Sequence, residues 1–237
     1  MTDQIKTKED AEKLQALIAV YTKQHTGADL PFIDIVKAFN KLVPFGSHGF
    51  RVFYALVDLK INFALLLLDS FFSGAHWNEQ NSMKLSVNES ILDNPTLFNS
   101  RLEIHRHNAN YIPRYRAMWD KIMGVLLLIS SEELYNKYNS SKSRKKAFRN
   151  LSQGVSFLDK GFVDQILEHI QKFDDNFRTP EVHRFGSLRK YSFMQNPFDK
   201  IEYAELRGSW NYIITILAEI DRIIDAIKEK SPANKNS

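Results

Sequence analysis

The hydrophobic residues of this chain recur at helical spacing along most of its length. In the last long segment they step by three and four residues, which is typical of a helix packed against other helices. This stripe consists of Leu206, Trp210, Ile213, Leu217, Ile220, Ile224 and Ile227. The chain has no sustained alternation of Val, Ile and Thr of the kind that predicts strands, and its 237 residues include only 9 Gly and 7 Pro. The pattern therefore predicts an all-α fold.

Earlier segments show the same period, separated by polar stretches. The predicted helices there are one marked by Leu14, Leu17, Ile18 and Tyr21, one opened by Pro31, a long buried one over 50–73, one with Pro113 at its first position, and one over 155–177. The Asn- and Ser-rich segment 73–95 predicts the longest loop. We expect a multi-helix bundle with long central and C-terminal helices, formed as one domain over 1–237 with a frayed polar tail at about 231–237.

Composition narrows the classes of function. The chain has no cysteine, which excludes disulfides, thiolate catalysis and Cys-ligated zinc. Its first residues are polar and mixed in charge, unlike a signal peptide, and Asp58, Lys60 and Asp69 interrupt the most apolar stretch, which argues against a membrane span. We therefore expect a cytoplasmic protein that does not associate with membranes. The net charge of +4 is compatible with an anionic partner.

The most specific stretch is "FRTPEVHRFGS", in which Arg178 and His183 stand five residues apart. Pro180 disfavours helical geometry at Thr179, so the sequence predicts a new helix with Thr179 as N-cap and Pro180 at its first position. Arg178 and His183 would then touch across the helix start, as the two side chains of a hydrophobic staple do. A guanidinium, an imidazole and free backbone N–H groups could together bind a phosphodiester and transfer protons without a metal.

Further cations surround this stretch in the sequence. The candidates for phosphate binding are Thr179 at the predicted helix start, Arg184, Arg189 and Lys190, which follow the pair, and Arg114 and Arg116, which share a predicted helix start and so a cleft. The basic run "KSRKKAFR", residues 142–149, fits either contact with a phosphate backbone or a solvated surface. An ordinary capped helix start is the alternative interpretation of the Arg178–His183 spacing itself.

Histidines elsewhere offer two weaker alternatives. Arg101 and His107 also match a looser R-x4–6-H spacing. His105, His107 and His169 would suggest a metal site, but the chain lacks an H-E-x-x-H spacing and cysteine ligands, so we expect no metal and no cofactor. Solvated histidines, or histidines at the edge of the core, are the better interpretation.

An R-x4–6-H motif late in an all-α chain resembles the HEPN superfamily of nucleic-acid-processing and nucleotide-binding proteins. The stretches "FRTPEVHRFGSLRKY" and "RYRAMWDKIMG" look like a long, single-domain bacterial branch of that superfamily. The resemblance implies a homodimer in which the two motifs face each other across the interface. In the family, the residue directly after the arginine of the motif is often Asn, Asp or His. In this chain that position is Thr179.

The resemblance also implies a function. We expect a metal-independent endoribonuclease, acting as a toxin or an antiviral defence effector, in which the RNA 2′-hydroxyl attacks the adjacent phosphate. His183 would act as general acid or base and Arg178 would stabilise charge on the phosphoryl oxygens. The runner-up is a catalytically silent helical protein that binds a nucleotide, an RNA or a partner protein through the same cleft. A purely structural dimer is the third interpretation.

Overall fold

The computed structural model of the chain describes residues 5–82, 93–183, 186 and 200–227, and within these ranges all side chains except those of 79–82, 183 and 200–203. Every regular element in these ranges is helical, so the all-α prediction is confirmed. The α-helices are α1 Lys8–Thr26, α2 Ile35–Leu42, α3 Ser47–Ser82, α4 Pro95–Ser130, α5 Glu132–Ser140, α6 Arg144–Leu151, α7 Lys160–Phe173, α8 Thr179–His183 and α9 Lys200–Ala226. None of them combines the length and the apolar content that crossing a membrane requires.

Side-chain caps determine where two of these helices begin. The Asp34 carboxylate accepts from the Lys37 N–H, so α2 begins at Ile35 rather than at Pro31 as the sequence predicted. At α4 the cap is Asn94, whose side-chain oxygen accepts from the Leu97 N–H at 3.0 Å. The two predicted helix starts at prolines are therefore wrong, and each true start is provided by an acidic or amide side chain.

The helices α3 and α4 are 36 residues long each, which exceeds the predicted lengths. Helix α3 continues to Ser82, through the first part of the predicted loop, and residues 83–92 of that loop lie outside the described residues. Helix α4 contains Pro113 in its interior instead of at its first position. Long central helices are thus confirmed.

The first helix buries a different face from the predicted one. Ala11, Ile18 and Thr22 are buried, whereas Leu17 is 68% exposed and Tyr21 is 46% exposed. The short side chains of alanine and threonine permit close packing on this face, a preference that a count of large apolar residues misses. The stripe of the last helix is largely confirmed: Leu206, Ile213, Leu217, Ile220 and Ile224 are buried.

A strained corner between α1 and α2 is held by hydrogen bonds with two charged side chains, Lys60 and Asp221. Ile33 has a positive φ of 59° and is fully buried, a backbone state that a β-branched residue adopts only at a cost. Its N–H donates to both carboxylate oxygens of Asp221 at 3.1 Å, and its carbonyl accepts from Lys60 Nζ at 2.8 Å. Burial lowers the pKa of Lys60 and raises that of Asp221. These bonds offset the strain at Ile33.

The chain divides into two compact units, each with its own core. The first takes described residues from 1–64, 120–165 and 213 onward, and buries Phe53, Leu56, Leu59, Ile122 and Phe148. The second takes described residues from 65–119 and 166–212, and buries Ile104, Tyr115, Trp119, Ile170 and Leu206. The single domain over 1–237 stays a prediction. The Arg178 region belongs to the second unit.

Candidate functional site

The stretch around Arg178 is a π-helical turn and not a helix start. Residues Asp174–Arg178 are π-helical and join α7 directly to α8. Thr179 has φ −64° and ψ −46°, and its N–H bonds to the Asp174 carbonyl. The prediction that Thr179 is an N-cap is therefore wrong. In a regular α-helix the Pro180 ring would collide with the carbonyl four residues earlier, and a wider turn just before the proline relieves this contact, so the helix can continue.

This continuity changes the relation between the two motif residues. Positions 178 and 183 are five residues apart in helical backbone, which places them about 140° apart around the axis. The predicted contact between Arg178 and His183 across a helix start is therefore not supported within one chain. The side chain of His183 lies outside the described residues, as do Arg184, Arg189 and Lys190, so their predicted roles stay predictions.

Arg178 pairs with a buried carboxylate that it shares with Arg116. The Asp174 side chain is 9% exposed, and its Oδ1 lies 3.2 Å from Arg116 Nε and 3.8 Å from Arg178 Nη1. The Arg116 side chain is 12% exposed, whereas that of Arg178 is 42% exposed. A buried charge must be paired to be tolerated, and Asp174 supplies such a partner to Arg116. Of the two guanidinium groups beside Asp174, that of Arg178 is the one that solvent reaches.

Arg114 does not join this group, contrary to the prediction of a common cleft. Arg114 and Arg116 are two residues apart in the middle of α4, so they extend from different faces of that helix. Arg114 Nε donates to Asp69 Oδ2 at 3.0 Å instead. The second candidate cation of the sequence therefore belongs to a different group of side chains, which surrounds His107.

His169 is a neutral histidine bound to a buried tyrosine. The Tyr115 hydroxyl donates to the Ser209 carbonyl at 2.7 Å and lies 2.5 Å from His169 Nε2, while the Tyr212 ring stacks on the imidazole with ring centroids 3.9 Å apart. Burial, with a smaller contribution from the Lys172 charge, lowers the pKa of His169 to about 4. The imidazole is therefore uncharged at neutral pH and cannot serve as a cationic phosphate ligand.

The structure separates the three histidines that would have suggested a metal site. His107 lies near His76 and Glu103 rather than near His169. No sequence pattern connects His76 with His107, because they are 31 positions apart on different helices, and only the packing of α3 against α4 brings them together. Asp174 and Asp69 were also missed, since a lone aspartate carries no local signal of a buried arginine partner.

The basic run 142–149, which includes most of α6, still fits either contact with a phosphate backbone or a solvated surface. Arg144 donates to Asn139 Oδ1 at 3.0 Å and stands over the Tyr138 ring, so it has a structural role. Lys142, Lys146 and Arg149 are exposed. The run lies in the first compact unit, whereas Arg178 belongs to the second.

No protein-family model matches this chain, and neither a curated protein nor a solved structure matches it significantly.

Proposed function

We propose that the protein is a cytoplasmic, metal-independent endoribonuclease of the HEPN type that acts as a homodimer in a toxin or antiviral defence system. The observation that supports this most is the Arg178 guanidinium, which is 42% exposed and pairs with the buried Asp174 carboxylate at 3.8 Å. An exposed guanidinium is suited to a phosphate oxygen. The family resemblance supplies the second residue, His183.

The proposed reaction is an internal transfer at phosphorus. The RNA 2′-oxygen forms a bond to the adjacent phosphorus, and the bond from phosphorus to the 5′-oxygen of the next nucleotide breaks. The products are a 2′,3′-cyclic phosphate and a 5′-hydroxyl. His183 takes the proton of the 2′-hydroxyl or gives one to the leaving 5′-oxygen, and Arg178 stabilises the charge that builds up on the phosphoryl oxygens.

The helix geometry leads us to a specific version of this site. Since positions 178 and 183 diverge by about 140° around one helix, a single chain would not direct both at the same phosphate. We therefore propose that Arg178 of one protomer works with His183 of the partner subunit. Each dimer would then contain two such sites, related by its two-fold axis.

The alternative is a catalytically silent protein that binds a nucleotide, an RNA or a partner protein at the same surface. One observation favours it: Arg116 and Arg178 both lie beside Asp174 within a single chain, and Arg178 is exposed there. Such a protein would bind RNA through Arg178 as a monomer. It would show no cleavage at any pH.

The experiment is cleavage of single-stranded RNA in EDTA by Arg178→Ala, by His183→Ala and by an equimolar mixture of the two. Each variant alone should be inactive. Random pairing gives half heterodimers, each with one intact site, so the mixture should recover about one quarter of the wild-type rate. Arg222→Ala, which removes an exposed arginine of α9 that pairs with Glu219, is the matched control and should keep full activity.

Four outcomes decide among the proposals. Recovery in the mixture supports the shared site. No recovery, with heterodimers demonstrated by two different affinity tags, contradicts it. Wild-type protein that binds RNA but never cleaves it establishes the silent binder, and wild-type protein that does neither contradicts both.

A further inference from the structure

Three side chains of the types that bind metal ions lie together between α3 and α4, and none of them belongs to the Arg178 group. His76 comes from α3, and Glu103 and His107 come from one face of α4, since they are four residues apart. One ligand atom of each side chain lies within 4.8 Å of the other two. Of these atoms, His107 Nε2 and Glu103 Oε2 are 3.6 Å apart.

These distances approach those of a metal site. Zinc bonds of about 2.0–2.2 Å in a tetrahedral arrangement place neighbouring ligand atoms about 3.3–3.5 Å apart. The pair formed by His107 and Glu103 is already near that spacing. Since no pair exceeds 4.8 Å, any other separation needs to close by at most about 1.5 Å, which side-chain rotation can supply. Two imidazoles and one carboxylate with a fourth position open is a ligand set that suits Zn²⁺ and related divalent ions.

The surroundings of His107 fit a ligand that binds through Nε2. Its Nδ1 is buried and has no hydrogen-bond partner in the part of the chain that the structure describes. The nearest acidic oxygen, Asp69 Oδ1, lies 3.9 Å from Nδ1, and Asp69 is itself held by Arg114 at 3.0 Å. When a metal ion binds Nε2, the imidazole carries its proton on Nδ1, and this N–H can donate a hydrogen bond to Asp69. A carboxylate behind the distal nitrogen is the usual support of a metal-binding histidine.

One cation currently occupies the space between the ligands. Arg106 Nη2 lies 2.6 Å from Glu103 Oε2 and 3.3 Å from His107 Nε2. The Arg106 side chain is 63% exposed, so it can turn into solvent without losing buried contacts. A metal ion and this guanidinium would compete for the same carboxylate.

We infer that His76, Glu103 and His107 form a binding site for a divalent transition-metal ion such as Zn²⁺, with Asp69 supporting His107 and Arg106 displaced on binding. The site is separate from the proposed ribonuclease, because neither Arg178 nor His183 belongs to it. Cleavage that resists EDTA and binding of one metal ion are therefore compatible, and either can fail without the other.

The test is calorimetric titration of the full chain, stripped with EDTA, with Zn²⁺ and with Co²⁺. We expect one ion per chain. His107→Gln and His76→Ala should weaken binding more than tenfold, and Asp69→Asn should weaken it by about 10–100-fold. Arg106→Gln should tighten it by about tenfold, because a competing positive charge is removed. His105→Gln, a change of the neighbouring histidine of α4, should leave it unchanged.

The Arg106 variant keeps the test decisive if a histidine variant fails to fold, because it removes only an exposed side chain. Binding that is tighter in Arg106→Gln and weaker in His107→Gln supports the site. Absence of saturable binding in the wild type and in Arg106→Gln overturns it. Binding that His107→Gln and Arg106→Gln leave unchanged shows an adventitious surface ion, which overturns it as well.

Discussion

His169 shows how a single residue can acquire a new property from its packing. In the sequence it is one of seven histidines and has no distinguishing neighbour. In the structure it is packed between the Tyr115 hydroxyl and the Tyr212 ring, and burial disfavours its charged form. Neither tyrosine is close to it in sequence, so no local pattern could have revealed this environment.

This environment predicts a pH dependence of stability. The pKa of His169 is about 4 in the folded chain and 6.5 for an ordinary histidine. The neutral ring therefore contributes to the free energy of unfolding fully above pH 6.5, and this contribution is lost as the pH falls toward 4. Because the ring is partly exposed, we expect the free energy of unfolding to fall by about 1–2 kcal/mol, which is less than the whole pKa shift corresponds to. Denaturant unfolding of the wild type and of His169→Gln between pH 7 and 4 measures the difference.

The control for this comparison is His25→Gln, since His25 is exposed on α1. Its stability should follow the wild-type curve throughout that range. A His169→Gln curve parallel to that of the wild type would contradict the lowered pKa. An NMR titration of the His169 ring gives a second, direct reading of its midpoint.

At the scale of elements, the sequence predicted the kind of structure better than its boundaries. The period of the apolar residues identified the helices, because each helix must bury one face. The helix boundaries predicted from prolines were wrong in three places. Pro31 and Pro113 do not begin helices, and Pro180 follows a π turn within a continuous helix. A proline indicates a disturbed hydrogen bond, and whether the helix ends or widens there depends on tertiary contacts.

The contact that accompanies the π turn is the one between Asp174 and Arg116, which joins this turn to α4. We expect Asp174→Ala to lower the free energy of unfolding by about 3–5 kcal/mol, since it leaves the buried Arg116 charge without its carboxylate. The matched control is Asp175→Ala, which removes an exposed carboxylate of the same turn that accepts from the Gln171 amide. Its effect should stay within about 0.5 kcal/mol.

Chemical denaturation of the two variants measures this difference. Equal stabilities would show that Arg116 finds another partner or becomes solvated. In the proposed ribonuclease, Asp174→Ala should also reduce RNA cleavage at temperatures where the variant remains folded, because Arg178 loses the group that holds it.

At the scale of the whole molecule, the apolar stripe of α9 does not argue for a dimer. By its length alone, such a stripe carries more apolar surface than one partner helix needs, which would favour a second copy of the chain. In the structure, however, Leu206, Ile213, Leu217, Ile220 and Ile224 are buried within the cores of the two units. The homodimer therefore depends on the proposed site, in which Arg178 and His183 come from different copies.

That dependence gives the last prediction. If each site needs two copies, the specific activity for RNA should rise with protein concentration and reach a plateau where light scattering reports twice 27.6 kDa. Arg178→Ala should form the same dimer while losing cleavage, because position 178 contacts the substrate and is not required for association. A monomeric mass at about 100 μM together with undiminished activity on dilution would contradict the shared site, since a reaction that needs two chains must slow when the chains separate.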